Sequence, residues 1–317
     1  MAFARVLTAI ILVTVWTEAA LQQPPRDGRP ALRSAEQALA EAHEHYKAQR
    51  WQDAVDKYEE AVAARPDLVS AYFFLGNSYD NLHRPSRPGD PLNAAYLHKA
   101  VRHYRTAAER ETDPRVRKLA LEYLVAACGP EKLNDPSAAE PVILQLIEME
   151  PGTLAYHFQL AHLYEQAGSY DSAEEALGRA RQMNPRDPSV YVALSGLYNR
   201  LGDFPKTMEA LHQATQLEPQ KPESHQRVAV FYWEKAFRDH RLTLDEKRTY
   251  LAAGIAATDR ALALDPDYVE ALTYKNILLR LQANDETDRS LRAQLIAAAD
   301  ALRDRAMALS RSRDTRR

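Results

Sequence analysis

A single cysteine among 317 residues excludes an intrachain disulfide, so stability rests on packing even in an oxidising compartment. That residue, Cys128, lies between Ala127 and Gly129 near an expected helix end. It reads as a small buried filler and not as a nucleophile, because no base is placed beside it. Glycine is scarce too: 10 residues, about 3% where ~7% is usual, while Ala, Leu, Glu and Arg dominate. The balance favours helix and leaves little scope for glycine-rich anion loops. Charge of one sign is also missing. A formal net charge of -3 supplies no cationic field to gather phosphates, and nucleic acid is not an expected partner.

Catalytic and metal-binding signatures are absent in turn. There is no Gly-x-Ser-x-Gly, no Walker loop, no Gly-x-Gly-x-x-Gly and no His-Glu-x-x-His. His43 and His45 diverge by about 200° on a helix. His98 with His103, and His157 with His162, are five apart and poorly placed to share an ion. Glu234 and Asp239 are likewise five apart, unlike a paired acid and base. No enzyme activity, cofactor or metal is expected.

The N-terminus reads as an address. A cationic start, "MAFAR", precedes an uncharged run from Val6 to Trp16, too short for the ~20 residues that span a bilayer, and "TEAA" follows with small residues. The expectation is a cleaved signal peptide over 1–19 and a secreted or periplasmic protein with no membrane span thereafter; the alternative is an N-terminal anchor. Residues 20–33 form a Pro-rich leader expected to be flexible, and 311–317 a basic tail.

Between these lies a repeat. Tyr164, Tyr198 and Tyr232 are 34 residues apart, and so are Pro151, Pro185 and Pro219. Leu160, Leu194 and Val228 keep the interval, as do Gly168 and Gly202. Ala54, Tyr58, Ala61 and Pro66 set out a small, bulky, small, proline pattern; Ala173, Leu177, Ala180 and Pro185 repeat it, then Thr207, Leu211, Ala214 and Pro219. These spacings put three side chains on one helical face and a helix-ending proline after them.

The 34-residue unit, with "YFFLGNSY" from Tyr72 to Tyr79, resembles the tetratricopeptide repeat, a helix-turn-helix that stacks with its neighbours. The resemblance implies an all-α, right-handed superhelical solenoid over 34–310, with about seven hairpins beginning near 35, 69, 115, 154, 188, 222 and 269. Two hairpins carry insertions of 12 and 13 residues. The first, "LHRPSRPGDPLN", is expected to be a surface loop. The second contains "TLDE", Thr243 to Glu246, with capping-box spacing, so "FYWEKAFRDH", residues 231–240, is expected to end a lengthened helix. The third hairpin departs from the pattern at an irregular "GPEKLNDPSAAEP", and the last has Lys275 and Asn276 where leucine and a small residue belong.

The resemblance also implies a concave groove lined by the first helix of each hairpin. Carried onto this chain, it places Tyr46, then Phe73, Asn77 and Asp80, then Phe158 and His162, on that face. Asn199 and Arg200, Val230 and Trp233, and Arg280 continue it. Val230, Trp233 and Phe237 form one apolar stripe at i, i+3 and i+7, with Tyr232 facing elsewhere and Tyr250 a candidate cover. The expected function is a non-catalytic scaffold in the cell envelope that binds a peptide or helix of a protein partner, with Trp233 and Phe237 as its anchors. The alternatives are an envelope accessory carrying a lipid, glycan or peptide and, more distantly, a hydrolase.

Overall fold

The computed structural model describes residues 30–87 and 89–314. The signal expected over 1–19, the leader as far as residue 29 and the last three residues of the tail lie outside them. Among the described residues there are fourteen α-helices and no strand: α1 (Pro30–Lys47), α2 (Trp51–Ala64), α3 (Val69–Leu82), α4 (Pro91–Arg110), α5 (Pro114–Cys128), α6 (Pro136–Met149), α7 (Leu154–Gln166), α8 (Tyr170–Met183), α9 (Pro188–Arg200), α10 (Phe204–Leu217), α11 (Pro222–Arg238), α12 (Leu244–Leu264), α13 (Val269–Asn284) and α14 (Arg289–Asp314). The hairpin starts agree with the sequence pattern. The array begins at Pro30, earlier than residue 34, because proline suits the first helical position, and it runs on to Asp314.

The chain divides into two compact units whose boundary falls within α7, one ending at Leu163 and the other starting at Tyr164. In the first, α1 pairs with α2, α3 with α4 and α5 with α6, and each hairpin packs on the next. In the second, α9 pairs with α10, α11 with α12 and α13 with α14, and α11 also contacts α13.

Proline punctuates both ends of the helices. α2, α6, α8, α10 and α12 stop two residues before Pro66, Pro151, Pro185, Pro219 and Pro266, as the preceding-residue restriction requires. Asp90, Asp113, Asp135 and Asp187 cap helices whose first residue is proline. This capping corrects two expectations. The first insertion is not a loop throughout: the Asp90 carboxylate accepts from Leu92 N at 2.9 Å and starts a 20-residue α4 at Pro91. The irregular third loop ends at Asp135, whose carboxylate accepts from Ala138 N at 3.0 Å, so α6 includes Pro141. At the second insertion Thr243 and Glu246 form the expected capping box, α11 reaches Arg238 and α12 has 21 residues.

The small, bulky, small faces are the seams. Ala54, Tyr58 and Ala61 are all 0% exposed, and Ala173, Leu177 and Ala180 are buried likewise. Gly168 and Gly202 adopt φ of 73°, the left-handed turn that favours glycine. Lys275, out of pattern, pairs with Asp259 of α12 at 2.5 Å. The thiol of Cys128 is buried, and burial pushes its pKa up to about 11.

On the side of α4 facing α3, His103 is stacked between two tyrosines, Tyr79 at 5.8 Å and Tyr72 at 6.1 Å between ring centroids. Burial, helped by the charges of Arg102 and Lys99, lowers its pKa from 6.5 to about 4. Between those values the unfolded chain binds the proton that the folded chain refuses. Stability is therefore full above about pH 6.5 and falls as the pH drops toward 4, by on the order of 3 kcal/mol. Urea titrations at several pH values are expected to show a shallower acid decline for His103→Phe than for the native chain; equal slopes would remove His103 as the cause.

Gly76 tests the closest helix approach. A Cβ there would lie 2.9 Å from Tyr104 Cδ1 and 3.2 Å from the Ala100 carbonyl oxygen. Gly76→Leu is expected to cost roughly 1–3 kcal/mol by overpacking, read as a lowered urea midpoint; an unchanged midpoint would refute the contact.

Candidate partner-binding site

In the first unit, three residues expected to meet a partner are core instead. Tyr46 is 6% exposed, Phe73 1% and Asn77 6%. Tyr46 lies edge-on to Phe74 at 5.1 Å and to Trp51 at 5.4 Å, while Phe73 meets Tyr123 at 5.2 Å. Asn77 accepts from Tyr46 Oη at 2.7 Å and from Asn81 Nδ2 at 2.9 Å, and donates to Tyr104 Oη at 3.3 Å. The resemblance implied an exposed lining at these positions, but aromatic side chains of this size fill the space between the first helices there. On α7, Phe158 is half-buried and His162 exposed.

The second unit keeps more of the expected face open. Asn199 and Arg200 are exposed at the end of α9, and Arg200 pairs with Glu165 at 2.5 Å. Arg280 is held internally, donating to Asn276 Oδ1 at 2.9 Å and pairing with Asp300 of α14 at 2.5 Å. Its guanidinium braces α13 on α14.

The aromatic stripe of α11 divides into a stem and a cap. Trp233 is half-buried, packs on the cluster of Ala229, Ala236, Leu251 and Leu278, and meets Tyr274 of α13 edge-on at 5.6 Å. Phe237 stacks flat on Trp233, 5.6 Å between centroids with planes 10° apart, and is 53% exposed. Val230, one turn earlier, is half-buried. Tyr232 faces the other way, toward Phe204, His212 and Tyr250. Tyr250 is thus occupied by Tyr232 and Phe204 and does not cover Phe237. Tyr274 was missed in the sequence because it lies outside the 34-residue matches, and only the contact of α11 with α13 brings it beside Trp233.

The same end of α11 carries ion pairs. Glu234 and Arg238 pair at 2.7 Å, and Asp239 takes Lys235 at 2.8 Å and Arg241 at 2.9 Å. The Arg241 guanidinium and then the Lys235 ammonium hold the Asp239 carboxyl well below the usual carboxylate range. These residues, with Asn199, Phe204, Phe231 and His240, line an open cleft of about 520 Å³ beside the lengthened hairpin. The cleft lies beside the stack and does not include it: Phe237, stacked on Trp233 and more than half exposed, stands on the same helix end as these ion pairs, an arrangement that suits docking of a protein surface. Among the described residues no group of three His, Cys, Asp or Glu side chains is placed to hold a metal ion, and no helix is long and apolar enough to cross a membrane.

Two segments of the chain, residues 39–87 and 154–195, match family models of the tetratricopeptide repeat. No curated protein matches it. Among solved structures, a tetratricopeptide repeat protein from Parabacteroides merdae aligns at 12% identity over 84% of this chain and 99% of its own, TM-score 0.47. MamA of Desulfovibrio magneticus, from its residue 41 to the end, aligns at 15% identity over 64% and 98%, TM-score 0.43. YrrB, described as "a TPR protein with an unusual peptide-binding site", aligns at 16% identity over 57% and 85%, TM-score 0.42.

The stem and cap are expected to separate on substitution. Trp233→Ala removes a half-buried ring and is expected to cost about 2 kcal/mol of stability, whereas Phe237→Ala costs under ~1 kcal/mol. Thermal unfolding measures both, and equal losses would place Phe237 in the core.

Proposed function

This chain is a tetratricopeptide repeat protein, and on that premise we propose that it is a non-catalytic scaffold, binding a peptide or helix of a protein partner through the first-helix face of its second unit. The observation that carries the reading is Phe237, an aromatic side chain more than half exposed and stacked on Trp233. A ring that already stacks on a neighbour has less rotamer freedom to lose on contact, and aromatic anchors dominate interface energies. The exposed Arg238 and the Glu234 beside it supply a polar rim. The partner meets this face in the cell envelope or periplasm, to which residues 1–19 direct the chain.

The test is capture from envelope extracts of the producing cell with the exported full chain as bait, after N-terminal sequencing that is expected to begin at Ala20 or Leu21. The native chain is expected to enrich a defined protein, and Phe237→Glu to lose it while unfolding at the same temperature. A loss near 2 kcal/mol corresponds to roughly 30-fold in affinity. Undiminished capture by Phe237→Glu rejects this face as the site. Native mass spectrometry distinguishes the alternative, since a carrier would release a co-purified lipid or glycan.

A further inference from the structure

The inner face of the first unit holds a second arrangement, independent of the Trp233–Phe237 stack. Residues 129–135 separate α5 from α6, a longer turn than the three residues between α9 and α10. The turn is closed by its own backbone: Leu133 N donates to Ala127 O at 3.3 Å, Asn134 N to Gly129 O at 2.9 Å and Asp135 N to Cys128 O at 2.9 Å. Pro130, Glu131 and Asn134 are exposed. From this superficial loop Lys132 reaches back to α3, placing Nζ 2.5 and 2.6 Å from the two carboxylate oxygens of Asp80.

Asp80 is built in. Its side chain is only 10% exposed, against 26% for Lys132. Behind it Tyr104 Oη donates to Oδ2 at 3.4 Å, Asn77 Nδ2 donates to Tyr104 Oη, and Tyr46 Oη donates to Asn77 Oδ1. One neutral donor, Tyr104, thus stands behind the carboxylate, itself held in a chain of hydrogen bonds that runs through Asn77 to Tyr46. A carboxylate covered to this extent requires a cation, and a lysine ammonium supplies a compact charge with three donors. The cation comes from the solvent side on a loop whose shape is kept by other bonds, and not from the helices that build the cradle. Asp80 also stands on the face where the repeat pattern places partner contacts.

We propose that the Asp80 cradle is a recognition site for a lysine ammonium of a protein partner, and that Lys132 is its intramolecular occupant, which the partner's lysine displaces. No covalent step is involved; one ammonium–carboxylate pair exchanges for another. A tethered lysine acts at an effective concentration of order mM, so an external ligand succeeds only with contacts beyond the ammonium.

The loop itself provides the probe: the acetylated and amidated heptapeptide of residues 129–135, GPEKLND, and its alanine counterpart GPEALND. Amide chemical shifts of the full chain are followed on titration. Lys132→Ala is expected to bind GPEKLND at least tenfold more tightly than the native chain does. Binding is expected to vanish with GPEALND and in the double variant Asp80→Asn with Lys132→Ala. No binding by Lys132→Ala, or equal response to the two peptides, overturns the proposal. Lys132→Met, which keeps the aliphatic stem, serves if the alanine variant is unstable; if both unfold, Lys132 is a structural brace and the site is refuted.

Discussion

A helix buries its apolar face against another only where one of the two presents side chains small enough for the backbones to come close, and in this chain alanine meets that condition in one hairpin after another. Ala54, Ala61, Ala100, Ala107, Ala173 and Ala180 are each at most 1% exposed. Gly76 extends the rule to its limit, with the Tyr104 ring filling the room that a side chain would take. A single hairpin closed in this way still leaves one flank apolar, so the next hairpin must cover it, and the array follows from that need.

The same constraint explains where aromatic side chains stay exposed. Regular hairpins cover one another fully, and in the first unit aromatic residues of the first helices turn inward and are spent on the core, Tyr46, Phe73 and Phe74 among them. The lengthened α11–α12 hairpin carries aromatic residues into its added length. Trp233 finds Tyr274 and the Leu251–Leu278 cluster, and Phe237, one turn further, stacks on Trp233 and stays more than half exposed. Exposure of Phe237 is thus a consequence of length, and the ion pairs of Glu234, Asp239 and their cationic neighbours keep the projecting end soluble.

Departures from the repeat pattern are where chemistry appears. Lys275 in place of leucine makes an ion pair with Asp259, and Arg280 reaches Asp300 of the last helix. Residues 129–135, irregular beside the other turns, deliver Lys132 to Asp80. A solenoid tolerates such insertions because each turn lies at the edge of the array and interrupts no seam.

The sequence by itself determined the helices, their pairing and most of their ends, with the starts of α4 and α6 the exceptions. Those features depend on local spacing: a 34-residue period, small residues at fixed intervals, prolines after five of the seven second helices and a capping box at Thr243. It also determined that Tyr232 and the Trp233–Phe237 stripe face different ways, since helical geometry alone sets that angle. Only the tertiary structure decided which residues of the expected face reach solvent. Burial depends on what a neighbouring hairpin brings opposite each position, and no local spacing records it: Tyr46, Phe73 and Asn77 share the register of an exposed lining yet lie in the core, while on one apolar stripe Trp233 is half-buried and Phe237 stands more than half exposed.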